Sequence, residues 1–599
     1  MADRLSRNRQ ILLLLGLGIA IYAGSAFSPA LQDDADAAHA EAAKEIIERN
    51  DWVTLHINGI RYLEKAPLMY WMVAVSYRLL GVSEFSTRLP LALASIGLAF
   101  AAWGFARWAW GSRTGFYAGI GVLTSVGIYL FTRILIPEVL LALFLTLAFY
   151  FFLRAYLGEL NPNLGYPAFF ACVALAVLTK GLIGMIFPFG TVGLFLLLTG
   201  GWRRWRQMRL LSGSLLFLAL AAPWHILAGL RNEGFFWFYF VNEHFLRYLG
   251  KRYPPDYDTV PLIAFWGLHL VWMFPWSFFL PLALPDLART LRALSPRLWS
   301  AGENWGREQQ VSLLVWIWFL LVLAFFSFST RQEYYTYPAF PALILLLARG
   351  LGRGEERNNA FDRRWLRLGH IGLAAVGVLA CSVLAAALWA SRSVTPTGDI
   401  TSLLTENPDL YRLSMGHLFD LTTAAFAELR FPAATAAVVL LAGLVGAALL
   451  DRFRPLAARF LLALTMACFI YAAHNALGVF TPLFSSKKLA QEIQARWEPG
   501  DLVVINGEYQ GGSSLGFYID QRPLLLNGRM TGLEFGSHFP DAPPIFLEDA
   551  DIRELWSGPQ RLFLFTYEDQ IEDLQRILPA ELIHPLVSYG RKAILTNRP

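Results

Sequence analysis

Charged side chains are scarce in this sequence: 16% of its 599 residues, where soluble domains carry roughly a quarter. Hydrophobic residues reach 56%. At about 150 residues per domain the length would suit several soluble domains, and the composition excludes that arrangement. Cysteine is rarer still. Cys172, Cys381 and Cys468 all lie inside apolar runs, so no disulfide framework is expected. Nucleotide and metal signatures are missing as well: there is no phosphate-cradling Walker loop, no Rossmann glycine fingerprint and no HExxH spacing. The histidines, among them His39, His56, His225, His244 and His474, are scattered, so no cofactor is assigned, and a divalent metal stays open without support from ligand spacing. The excess of 50 basic over 45 acidic residues gives +5. The Arg residues cluster in short loops between apolar runs, which is a topology pattern and not a nucleic-acid surface.

What the chain has in abundance is apolar sequence. Runs fall near 11–31, 89–110, 115–132, 135–157, 166–180, 182–200, 210–230, 260–284, 310–328, 337–349, 369–391, 431–450 and 457–478. A bilayer-spanning helix needs about 20 residues, so the pattern predicts about 13 transmembrane helices. The first run follows Arg4, Arg7 and Arg9. It is long for a signal-peptide core and has no small-residue cleavage site, so it is read as a retained span. With the N-terminus inside, the inside loops carry Arg113, Arg154, the Arg203–Arg209 cluster, Arg289, Arg292 and Arg297, Arg349 to Arg367, and Arg452 with Arg454. The first outside loop is instead acidic, from Asp33 to Asp51. This asymmetry puts the N-terminus in the cytoplasm and the C-terminus outside.

The outside segments are too rich to be simple turns. The first, about 32–88, contains a helical stretch near His39–Arg49 and then Ala66–Leu80, apolar but short, which fits an interfacial helix. The second, about 231–259, mixes aromatic and charged residues. From about 479, short β-rich runs (Leu502–Asn506, Pro523–Leu526, Pro544–Leu547, Arg561–Phe565, Ala593–Thr596) alternate with polar helical stretches such as Tyr567–Ile577. The expected fold is therefore an all-α polytopic membrane protein, residues 1–478, with interfacial helices and a small C-terminal α/β domain, residues 479–599.

Several ionisable residues fall together at the outer ends of the spans. One carboxylate of Asp33, Asp34 and Asp36 would suffice to cap the helix that follows, yet there are three, and like charges so close repel. Glu138 after Pro137 has the form of a helix N-terminus, but topology puts it at the same face and depth as Asp34. Lys180, Lys65, Arg247 and the Arg331, Tyr334, Tyr335 turn would each pass singly for an interfacial anchor. Together, cations and tyrosines beside carboxylates suit a lipid whose head group carries phosphate: cations hold the phosphate, carboxylates handle protons or orient hydroxyls, and apolar helices receive the tail.

The run DDADAAHAEAAKEIIERNDWVTLHINGIRYLEKAPLMYW resembles the first periplasmic loop of GT-C membrane glycosyltransferases of the PMT/ArnT-like group. FTRILIPEVLLALF, LAVLTKGLIGMIFP, APWHILAGLRNEGFFWFYFVNEHFLRY and YYTYPAFPALILLLAR resemble later segments in the same order, so the likeness covers most of residues 1–350. The resemblance implies inverting transfer of a sugar from a polyprenyl-phosphate donor to an acceptor at the periplasmic face. The acceptor would be lipid A, another envelope glycolipid or a protein hydroxyl. It also implies a bacterial inner-membrane location, with membrane lipids as surroundings, no nucleic-acid partner and a monomer. The shared pattern sets Ala35 opposite the family's catalytic Asp and Asp36 opposite its Glu, which makes Asp34 or Asp36 the expected catalytic Asp after a one-residue shift. Glu138 matches the second acidic position. Lys65, Arg247 and one of Tyr334 or Tyr335 match positions that hold the lipid phosphate, and Glu64, Lys180 and His244 complete the expected substrate-binding set. The alternative class is a transporter or flippase of lipid-linked saccharides, which would place ionisable groups near the bilayer midplane within repeated halves. No repeated half is visible in this sequence.

Overall fold

The structure is a computed structural model that describes residues 6–255, 259–294, 305–355, 359–405 and 415–598. Arg4 and Arg297, used above for topology, lie outside these residues. Every one of the apolar runs folds as helix, but they do not all reach spanning length. Among the described residues nine helices are long and apolar enough to cross a bilayer, from Arg7–Phe27 to Pro455–Val479. Two bent pairs, Ser112–Thr124 with Val126–Thr132 and Leu262–Trp272 with Trp276–Ala293, bring the number up to eleven. The runs near 182–200 and 337–349 become Ile183–Thr199 and Phe340–Glu355, of 17 and 16 residues. At about 1.5 Å per residue these fall short of a 30 Å hydrocarbon core, so the structure supports nine to eleven spans by length where the runs predicted about 13. The protein is a multi-pass membrane protein.

The first inter-span segment builds a compact cap. Helix Ala35–Arg49 buries a stripe of small residues, Ala37, Ala38, Ala40, Ala42 and Ala43, against its neighbours. The chain then turns through a short antiparallel hairpin, β1 (His56–Ile57) and β2 (Ile60–Arg61). Helix Leu68–Leu80 follows, over the short apolar stretch noted in the sequence, and leaves Val75, Leu79 and Leu80 exposed.

The C-terminal segment forms one six-stranded mixed sheet in the order β5-β4-β3-β6-β8-β7. Strands β3 (Leu502–Asn506), β4 (Leu524–Leu526), β5 (Phe546–Leu547) and β6 (Leu562–Tyr567) are parallel. Strands β7 (His584–Tyr589) and β8 (Lys592–Thr596) complete it antiparallel. The runs read from the sequence correspond to β3, β4, β5, β6 and β8. The edge strand β7 escaped because Pro585 and a register irregularity interrupt its alternation. This sheet sits directly on the cap: Asn58 donates to the Pro523 carbonyl at 2.9 Å, Arg61 pairs with Asp541 at 2.7 Å and Lys44 with Asp520 at 2.5 Å.

Candidate functional site

A cavity of about 680 Å³ opens between the cap, the ends of the spans and the C-terminal sheet unit. One wall is apolar, with Ile183, Ile186, Phe245, Leu249, Phe325 and Phe326. The cavity's ionic end holds Asp34, Glu64, Lys65, Glu138, Lys180, Glu243, Arg247 and Arg252. His244, Tyr334 and Tyr335 also line it. Of the expected catalytic and substrate-binding residues, all but Asp36 meet here; Asp33 and Arg331, also singled out in the sequence, do not line the cavity.

Each ionic side chain arrives by a local structural device. Asp34 stands at the N-cap of helix Ala35–Arg49 with φ 69° and ψ −131°, a region that disfavours a side chain. Its side chain is exposed to solvent at the cavity, with charged neighbours on the protein side. Burial, with the charges of Glu508 and Asp33 adding to it and Lys65 opposing, raises its pKa to about 6. Glu138 opens helix Glu138–Tyr156 after Pro137 and is 1% exposed. One of its oxygens is ion-paired to Lys180, and the other, Oε2, has no hydrogen-bond partner. Lys180 ends helix Pro162–Lys180, and its ammonium lies 5.2 Å from the Tyr335 ring centre and 5.7 Å from that of Tyr334, a cation–π seat for the charge.

A second ionic group is knitted around Arg252. Its guanidinium contacts Glu64 at 2.5 Å and Glu243 at 2.8 Å. Arg247 pairs with Glu243 at 3.0 Å and Lys65 with Glu64 at 3.4 Å. Burial alone would raise Glu64, but Arg252 foremost, then Lys65 and Arg247, hold it down to about 2. Burial and the charge of Glu64 raise Glu243, and burial lowers Lys65. Lys65 and Arg247 thus reach the cavity from cations already neutralised in part by carboxylates, which lets a cluster of three positive charges exist in a confined space.

His244 lines the cavity but is fully committed. Its Nδ1 bonds the Tyr239 carbonyl at 2.6 Å, and its Nε2 accepts from the Leu182 amide at 3.1 Å. Burial lowers its pKa to about 4, so the ring is neutral near pH 7. It pins the turn after Lys180, where Gly181 has φ +68°. A Cβ on Gly181 would overlap His244 Nε2 and crowd Tyr239. Gly181→Ala is therefore expected to displace Lys180 and lower stability, read as a lower melting midpoint of the purified variant in detergent. An unchanged midpoint would remove the role assigned to this turn.

Asp36 is placed differently from the expectation. It is 2% exposed and absent from the cavity wall. Its Oδ2 meets Arg88 at 3.3 Å and the Gln32 amide at 3.1 Å, and its Oδ1 accepts from the Leu135 amide at 3.1 Å. Two residues after Asp34, about 200° round the helix, it ties the start of the cap helix to the turn before Glu138. Arg252, Glu243, Gln510 and Thr531 also line the cavity and went unrecognised in the sequence. Arg252 is one cation among several in its loop, and the last two sit in ordinary loop sequence of the distant C-terminal unit. Among the described residues no group of three or more His, Cys, Asp or Glu side chains is placed to hold a metal ion.

Residues 64–227 match the family described as dolichyl-phosphate-mannose-protein mannosyltransferase. The chain is 29% identical over 358 residues to the undecaprenyl phosphate-alpha-4-amino-4-deoxy-L-arabinose arabinosyl transferase of Aeromonas salmonicida, covering 57% of this chain and 61% of that protein. The protein of the same name from Pseudomonas aeruginosa strain LESB58 is 26% identical over 361 residues, covering 58% and 60%. The alignments thus span about three-fifths of the length of these relatives. The crystal structure of ArnT from Cupriavidus metallidurans bound to undecaprenyl phosphate superposes with a TM-score of 0.78 at 22% identity, covering 99% of this chain and 98% of that one. Its apo form gives 0.76. The fold is that of ArnT over the whole length, the C-terminal unit included.

Proposed function

From the GT-C fold shared with ArnT and the resemblance to the PMT/ArnT-like group, we propose that this chain is an inverting glycosyltransferase. It would move a sugar from a polyprenyl-phosphate donor to an acceptor at the periplasmic face of a bacterial inner membrane. The observation that carries this reading is the convergence of Asp34 and Glu138 with Lys65, Lys180 and Arg247 at the ionic end of one apolar-walled cavity. The names of the relatives speak of an undecaprenyl-phosphate-linked aminoarabinose, and an envelope glycolipid is the first acceptor candidate here.

In this reading the polyprenyl chain lies along the apolar wall and the donor phosphate rests between Lys65, Arg247 and Tyr335. Asp34 takes the proton from the acceptor hydroxyl, whose oxygen attacks the anomeric carbon from the face opposite the phosphate. The bond from that carbon to the phosphate oxygen breaks, and its electron pair leaves on the polyprenyl phosphate. The phosphate goes from a diester with one charge to a monoester with more, so the surrounding cations bind the transition state better than the ground state. Glu138, held by Lys180 and with one oxygen unpartnered, is suited to orient sugar or acceptor hydroxyls. A transporter would need its ionisable groups near the membrane centre, and here they gather at the ends of the spans.

The test is reconstitution in proteoliposomes with a panel of synthetic undecaprenyl-phosphate sugars and envelope lipid extract, reading glycosidic product and released undecaprenyl phosphate. Lys65→Met is expected to weaken donor affinity at least about tenfold, the scale of a lost charge-assisted hydrogen bond. Translocation of lipid-linked sugar without bond formation would overturn the reading in favour of transport.

A further inference from the structure

The residue before the candidate base is bound entirely to the far end of the chain. Asp33 does not line the cavity. Lys592 of β8 donates to its Oδ2 at 2.6 Å, Ser486 Oγ to the same oxygen at 2.7 Å, and the Ser514 amide to Oδ1 at 2.8 Å. The Asp33 amide donates to the Phe484 carbonyl at 2.7 Å. Asp33 and Lys592 side chains are only 9% and 3% exposed. A buried ion pair of this kind is weak evidence for stability, because apolar side chains of the same volume usually do as well; its best-attested use is to specify one arrangement.

The arrangement specified is that of Asp34. Its amide donates to the Gln510 carbonyl at 2.7 Å, and its carbonyl accepts from Ser513 Oγ at 3.3 Å. These partners grip it at φ 69°, where an L side chain is disfavoured and a free helix N-cap would not settle. Gln510 also lines the cavity. We propose that the C-terminal α/β unit is a working part of the site, with Asp33, Lys592 and Ser486 acting as positioning residues that hold the Asp34 backbone in its strained conformation and so aim its carboxylate into the cavity. This inference rests on the reading of Asp34 as the base.

The test uses the full chain in proteoliposomes with undecaprenyl-phosphate 4-amino-4-deoxy-L-arabinose as donor and envelope lipid extract as acceptor. Asp33→Asn, Lys592→Met and Ser486→Ala are each expected to lower kcat, by roughly 10- to 100-fold for the first two, as for a base displaced by about 1 Å. Donor KM and undecaprenyl phosphate affinity are expected to stay within about twofold, because Lys65, Arg247 and Tyr335 are untouched. Lys592→Arg is expected to recover much of the loss. In an Asp34→Asn background Asp33→Asn is expected to add nothing, whereas a merely structural role would lower activity again. A readout without substrate is amide exchange at residues 33–36, expected to speed up in Asp33→Asn. Wild-type kcat together with unchanged exchange in Asp33→Asn would overturn the clamp. Full activity of Asp34→Asn would instead overturn the assignment of the base, so the two failures are told apart. Should Lys592→Met fail to fold, Asp33→Asn and Ser486→Ala carry the same test.

Discussion

Asp34→Asn is expected to cut kcat by about 10²- to 10⁴-fold, the range of a general base, with undecaprenyl phosphate affinity close to wild type. Asn has the shape of Asp and tolerates positive φ better than most residues, so the backbone that holds residue 34 has no reason to move. It cannot accept a proton. Measurement of product formation beside lipid binding separates the two effects. A variant with wild-type kcat would dispose of Asp34 as the base and turn attention to Glu138.

The same residue sets the acid side of the pH profile. Its carboxyl is raised to about 6, by burial first and by the charges of Glu508 and Asp33 second. Only the ionised form takes a proton, so kcat/KM is expected to fall about tenfold per unit as pH drops below about 6. The linkage to stability runs the other way. A carboxyl raised in the folded state binds protons more tightly there than in the unfolded chain, so this group favours folding at acid pH and opposes it as pH climbs through about 6. Asp34→Asn is therefore expected to melt no lower than wild type at neutral pH. Loss of activity combined with undiminished stability marks a residue spent on chemistry. At the alkaline side, burial lowers Lys65, so donor affinity is expected to fade below the ordinary lysine range.

Much of this was legible in the residues themselves. Each apolar run became a helix because length and hydropathy suffice for that, and the Pro137–Glu138 pair opened a helix as its chemistry dictates. Lys65, Lys180 and Arg247 meet although they come from three separate segments, because each stands at the same end of its span or cap. Asp34 and Asp36 were not separable in the sequence. Two residues apart at a helix start, they differ only through tertiary partners, Arg88 and the Leu135 amide for Asp36 and the Gln510 carbonyl for Asp34. Arg252 was hidden for a related reason. Its importance comes from standing between two acids more than 170 residues apart in the chain, Glu64 and Glu243, and no local spacing announces such a meeting. The Asp33–Lys592 contact, spanning nearly the full length of the chain, is the extreme case.

That central cation carries the other large expected effect. Arg252→Met is expected to destabilise the protein by about 3–5 kcal/mol, the usual result of removing one partner from a buried charge group. The side chains of Arg252, Glu64 and Glu243 are 6%, 6% and 1% exposed, so solvent cannot replace the lost guanidinium. Burial and Glu64 already raise Glu243 with Arg252 in place. Without it, Glu64 loses the largest of the influences that hold it down to about 2 and Glu243 loses one of its two guanidinium partners, so both carboxyls shift toward protonation. The variant is thus expected to be least impaired at low pH, where protonation has already removed the repulsion, and most impaired above neutrality. Adding Glu243→Gln to Arg252→Met is expected to return part of the loss, because the second buried charge is then gone; the non-additivity of the pair measures the coupling. Melting midpoints of the two variants in detergent, taken across pH, decide the matter. If Arg252→Met melts with wild type at every pH, the two acids do not depend on a shared cation, and the ionic end of the cavity is organised by Lys65 and Arg247 alone.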